Sequence, residues 1–179
     1  MSARSILLIS GSVRVGSVNT AVLSTVAELI PAQYTPLHYR GLGELPHFNP
    51  DLDRDPLPSA VVELREAIAA ASAVLVSTPE YAGAMPGALK NLLEWTVGGI
   101  EITGKPTGWI NPSTGPTGAE GTYASLRTVL AYTDAAIVEA ACADVPVSRS
   151  QIGADGRISD AGIRARFGDV IDALTASIG

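Results

Sequence analysis

Short apolar runs alternate along this chain with longer stretches whose apolar residues repeat at helical spacing, and that alternation limits the folds open to it. The first run is Ser5–Ser10, with Ile6, Leu7, Leu8 and Ile9. A polar turn follows, then Leu23, Val26, Ala27 and Ile30 at i, i+3, i+4, i+7, with Pro31 as the stop. Tyr34–Tyr39 reads as a weaker second strand and Ala73–Ser77 as a fully buried one. Between them, Ser59 is placed to cap a helix reaching Ala71. Pro86 suits the first turn of a helix carrying Leu89, Leu92, Leu93 and Thr96, stopped by Gly98-Gly99. Thr107–Asn111 is a fourth strand, and Leu126, Val129 and Leu130 mark the next helix. Ala135–Ala140 is a fifth strand by position, although its periodicity suits a helix equally. Ser159 is the expected cap of a last helix with Ile163, Phe167, Val170, Ile171 and Leu174 on one face.

Apolar strands separated by amphipathic helices predict an α/β fold, a three-layer sandwich with a parallel sheet covered on both faces. Five strands favour the doubly wound order 2-1-3-4-5, and 179 residues suit one domain over residues 1–179. With 46% hydrophobic and 17% charged residues the composition is globular. A net charge of −6 disfavours nucleic acid and anionic membranes as partners. The lone Cys142 excludes an internal disulfide framework and reads as a small buried hydrophobe. No signal-peptide pattern and no membrane-length apolar window is present, so the expectation is a soluble, cytoplasmic protein.

In such sheets ligands bind at the carboxyl ends of the strands, where strand order reverses. Three loops meet that description. Ser10–Thr20 (SGSVRVGSVNT) leaves the first strand and opens a helix. Its hydroxyls, its Asn and Arg14 form a possible anion cradle, with Gly11 for a tight turn; a generic capped turn is the competing reading. The Lys-Ser/Thr ending of a phosphate-binding P-loop and the spacing G-x-G-x-x-G are both missing. Thr78–Met85 offers Pro79, Tyr81 and Gly83 as a wall for a flat ring, against the alternative of a surface tyrosine beside a solvated Glu80. The Gly- and Pro-rich loop Pro112–Ala119 reads equally as a ligand wall or as a flexible surface segment. The long Arg40–Pro58 loop is functional or mobile by its length. His38 and His47, with Asp51 and Asp53 nearby, lack metal-ligand spacing, so no metal site is expected. No G-x-S-x-G elbow points to a serine hydrolase.

Three segments resemble the NADPH-dependent FMN reductase family, which also contains quinone, chromate and azo-dye reductases of flavodoxin-like fold. One is G-S-x-R-x-x-S-x-N, present as Gly11, Ser12, Arg14, Ser17 and Asn19. Another is P-E-Y-x-x-x-x-P-G-x-L-K-N, present as Pro79, Glu80, Tyr81, Pro86, Gly87, Leu89, Lys90 and Asn91. The third is the looser match Leu45–Asp53 (LPHFNPDLD). The resemblance implies FMN phosphate at Ser12, Arg14, Ser17, Val18 and Asn19. It implies the isoalloxazine against Pro79, Glu80, Tyr81, Ala82 and Gly83, with Ser113 and Gly115 from the third loop as a further wall. Where the family often has Asn after the Tyr, this chain has Ala82, so a flavin contact there falls to backbone.

The expected activity is electron transfer from NADPH or NADH, through FMN, to a quinone, flavin, azo compound or metal oxyanion. An FMN electron carrier and a flavin-free binding module are the alternatives. Catalytic side chains are not demanded, since the cofactor carries the chemistry; Tyr81 is expected to border the substrate face. No 2′-phosphate clamp is identifiable to choose between the nicotinamides. Homodimers or homotetramers are implied by the resemblance.

Overall fold

A computed structural model describes residues 4–179. The strands are β1 (Arg4–Ser10), β2 (Tyr34–Tyr39), β3 (Ala73–Ser77), β4 (Pro106–Asn111) and β5 (Ala136–Asp144). The helices are α1 (Val18–Ala27), α2 (Ser59–Ala70), α3 (Gly87–Glu94), α4 (Glu120–Tyr132) and α5 (Ala161–Ala176). All four strand pairings are parallel, and the sheet order is β2-β1-β3-β4-β5, the expected doubly wound arrangement. Chain reversal between β2 and β3 makes β1 and β3 neighbours, so the loops that follow them lie side by side.

Alternation along the strands divides the interior into two cores. Leu7, Ile9, Val74, Val76 and Trp109 face α2, α3 and α4, where Leu64, Leu92, Trp95 and Leu126 are fully buried. Ile6, Leu8, Leu75 and Ile110 face α1 and α5, against Val22, Val26, Phe167 and Ile171. Each such side chain contributes about 1.5–3 kcal/mol on burial. That explains why an unbroken apolar β3 is legible as a strand covered on both faces.

Helix starts differ from expectation. Pro58 occupies the position before α2, so Ser59 is its first helical residue and caps nothing. Pro86 likewise precedes α3, and Gly87 opens it. At α5 the cap is Asp160, whose Oδ1 accepts from Ile163 N at 2.9 Å, rather than Ser159. A carboxylate there also complements the positive end of the helix dipole, an advantage a serine lacks. Strand β5 runs four residues beyond the expected end, with a register shift opposite Thr107–Trp109. It is an edge strand with exposed Glu139 and Ala140, so its sequence lacks the continuous apolar run of a central strand.

The long loop is ordered by two short 3-10 turns, Gly41–Gly43 and Pro50–Leu52. Asn91 on α3 accepts from Phe48 N at 2.8 Å and donates to Pro46 O at 2.9 Å. Trp95 Nε1 donates to the same carbonyl at 2.8 Å, and Phe48 stacks edge-on to its ring. Arg65 pairs with Asp53 at 2.7 Å. Asn91, at the end of the second motif, thus pins the third motif.

Candidate active site at the carboxyl ends of the strands

The loop between β1 and α1 is shaped by its own polar side chains. Ser17 caps α1, its Oγ accepting from Thr20 N at 3.0 Å. Ser12 Oγ accepts from Arg14 N at 3.2 Å, leaving the Ser12 hydroxyl proton available. Asn19 is buried and its Oδ1 accepts from Ser77 Oγ at 2.9 Å, so its amide NH2 is the end left to donate. Among the described residues, the N–H groups of Val18 and Asn19 have no protein partner. Those are helix-start amides, whose orientation favours an anion. Arg14 is exposed and enters no ion pair among the described residues.

Gly11 proves to serve close approach. Its N–H donates to Ser77 O at 2.9 Å, and a Cβ built on it would lie 2.1 Å from Thr78 Oγ1. A glycine is what lets the first and second loops touch.

The second loop, after β3, is clamped by the start of α4. Glu80 accepts from Thr122 N at 3.2 Å, an N-terminal amide of that helix. Thr122 Oγ1 donates to Pro79 O at 3.4 Å. Tyr123 Oη lies 3.0 Å from Thr78 O and 3.2 Å from Ile110 O. Burial pushes its phenol up, so it remains a donor. Beyond Glu80, Tyr81 and Ala84 exchange backbone hydrogen bonds across a two-residue turn. Ala82 and Gly83 have φ of 53° and 76°, as a type I′ turn requires. The half-exposed Tyr81 ring is carried at the base of this turn.

The third wall comes from the loop after β4. Asn111 donates to Gly118 O at 2.6 Å and to Asp144 Oδ1 at 2.7 Å, while its Oδ1 accepts from Ser113 N at 3.0 Å. This turns residues 112–119 toward the other two loops.

Together the three loops enclose a cleft of about 480 Å³. Ser12, Arg14, Ser17, Val18, Asn19, Pro79, Glu80, Tyr81, Ser113 and Gly115 line it, as the sequence led us to expect. Ala82 and Gly83 do not. Both are occupied with turning the chain, and Asn suits a left-handed conformation better than Ala does. An Ala82→Asn protein should accordingly gain about 0.5–1 kcal/mol in stability, a rise in Tm of about 1–4 °C by calorimetry.

Arg149 also lines the cleft and was missed by the sequence reading. It begins a 3-10 turn after β5, held by a reciprocal Ser148–Gln151 capping box. The capping residue Ser148 just ahead of this cation is the hint that the sequence offers. Cys142 lies outside the cleft; its Sγ donates to Val138 O at 3.3 Å, and burial pushes the thiol up to about 11, away from nucleophile behaviour. No helix among the described residues is long and apolar enough to cross a membrane.

A doubly wound sheet of order 2-1-3-4-5, with a cleft of phosphate-ready donors at its switch point, defines a flavodoxin-like protein. The model of the NADPH-dependent FMN reductase family matches residues 4–146, and the chain belongs to that family. It is similar to an NAD(P)H-dependent FMN reductase of Pseudomonas aeruginosa, 32% identical over 94% of this chain and 92% of the relative. It is 33% identical to a 2-hydroxy-1,4-benzoquinone reductase of a Burkholderia species, over 87% and 86%. Among solved structures it resembles the flavoenzyme NAD(P)H:(acceptor) oxidoreductase FerB of Paracoccus denitrificans, with a TM-score of 0.86, 28% identity, and 98% and 97% of the two chains covered. The expectation of an FMN-dependent NAD(P)H oxidoreductase is borne out.

Proposed function

We propose that this chain, acting as one FMN-binding unit, reduces a small planar acceptor of quinone type with electrons from NAD(P)H. The observation that carries the proposal is the donor set at the start of α1. Two unpartnered amides, the Asn19 NH2, the Ser12 hydroxyl and the Arg14 guanidinium all belong to one cleft. That set fits a dianionic phosphate, and the only carboxylate lining the cleft among the described residues, Glu80, is engaged by Thr122 N. Ser12, Arg14, Ser17, Val18 and Asn19 would hold the phosphate of FMN. Pro79, Glu80 and Tyr81 on one loop, with Ser113 and Gly115 on another, would bound its ring.

Bound FMN supplies the two-electron chemistry. The protein's part is to hold and screen. Ser77 fixes Asn19, and α4 fixes the ring-side loop through Thr122 and Tyr123. Tyr81 would border the face that nicotinamide and acceptor approach. Arg149 places a second cation in the cleft, suited to an anionic portion of either substrate. The quinone class is favoured by the likeness to the Burkholderia 2-hydroxy-1,4-benzoquinone reductase and to a Pseudomonas putida quinone reductase, 30% identical over 87% of this chain.

Exposed Val97, just past α3, and Tyr132, at the end of α4, line one apolar groove and support assembly into a homodimer or homotetramer through that face. The activity is tested by the visible spectrum of the purified protein after incubation with FMN. Yellow flavin bands that bleach with NADPH or NADH under argon and return on adding a benzoquinone are the expected result. Bands indifferent to both nicotinamides would contradict the proposal.

A further inference from the structure

A second cleft, of about 430 Å³, lies where β1 and β2 end, and Ser12 and Arg14 line both it and the main cleft. Its far side carries His38 and Arg40 from the end of β2. Neither Arg14 nor Arg40 enters an ion pair among the described residues. Among the described residues one carboxylate, Glu44, lines this cleft, on a chain whose net charge is −6. Burial, and then the charge of Arg40, hold the His38 imidazole below its ordinary range. The hydroxyl of Ser24 adds a neutral donor, while Val13 and Leu42 add apolar surface.

With Arg14 and Ser12 given to the FMN phosphate, the Arg40 fork and the Ser24 hydroxyl of this cleft remain to meet a phosphate monoester dianion, which accepts bidentate hydrogen bonds. The nucleotide that enters the main cleft can carry such a group. NADPH bears a phosphomonoester on its adenosine ribose, and NADH has a hydroxyl in its place. We propose that this second cleft binds the 2′-phosphoadenosine end of NADPH, with Arg40 as the residue that distinguishes NADPH from NADH. The proposal rests on the oxidoreductase reading for the identity of the ligand. Arg40 lies outside the main cleft, so its replacement leaves the FMN donor set intact.

The test uses FMN-loaded protein and isothermal titration with adenosine 2′,5′-bisphosphate and with AMP, which lacks the 2′-phosphate. Wild type should bind the bisphosphate at least ~10-fold more tightly, since a hydrogen bond to a charged group contributes about 1.5–3 kcal/mol. Arg40→Ala should abolish the preference. In steady-state assays the variant's KM for NADPH should rise ~10-fold, with its KM for NADH and its FMN content unchanged. Equal binding of the two probes by wild type, or a preference that survives Arg40→Ala, overturns the proposal. A chain that takes up no FMN but keeps the preference would sink the oxidoreductase reading and leave the 2′-phosphate site standing.

Discussion

Replacing Arg14 with alanine should weaken FMN binding by ~10–100-fold while leaving the fold intact. The side chain is exposed, so its loss opens no cavity and strands no buried partner. What it removes is one charge-assisted contact to a dianion, worth about 1.5–3 kcal/mol, and 1.4 kcal/mol is tenfold in affinity. The remaining donors at Ser12, Val18 and Asn19 are held by the backbone and by Ser77, so binding should be weakened and not abolished. Fluorescence titration of the apoprotein, with a thermal melt alongside, checks both parts. An unchanged FMN Kd would remove Arg14 from the phosphate site.

Gly121→Ala should do the opposite, damaging the fold and the site together. Within an ordinary helix this change favours stability by about 0.5–1 kcal/mol. Here the added Cβ would sit 2.1 Å from the carbonyl oxygen of Gly83 and 3.3 Å from Glu80 Oε2. Backbone cannot yield as a flexible side chain can, so the turn at 82–83 must lift away from α4. That movement strains the Glu80–Thr122 and Thr122–Pro79 contacts that hold the ring-side loop. A loss of about 1–3 kcal/mol in unfolding free energy follows from such overpacking. FMN retention should fall with it, because one wall of the cleft is displaced. A Gly121→Ala protein with wild-type melting and full FMN content would show that the α4 clamp is unimportant.

The sequence was most informative where one local cause acts alone. β2 and β3 have the bounds their apolar and aromatic runs suggest. The first loop was legible because hydroxyls, Asn and Arg cluster within one turn after a strand. What escaped was set by partners distant in the chain. Glu80 reads in the sequence as ring wall or solvated charge, and the bond it accepts from Thr122 N, 42 residues on, is invisible there. Arg149 reaches the cleft only because β5 returns the chain to the same end of the sheet. Gly11 reads as a tight-turn glycine, whereas Thr78 is the reason a side chain cannot stand there. Ala82 was judged by the contact its missing amide could have made, but its backbone conformation is what the position demands. The Arg40–Pro58 loop reads as functional or mobile by its length; Asn91, Trp95 and Arg65, all on the adjoining helices or just past them, tie it down.

The central claim is that the start of α1 grips a phosphate dianion. Its most direct test compares FMN with riboflavin, the same ring and side chain without the phosphate, on one apoprotein preparation. Two or more charge-assisted contacts predict FMN tighter by at least ~100-fold, with the ratio falling in Arg14→Ala. Riboflavin bound as tightly as FMN would contradict the account.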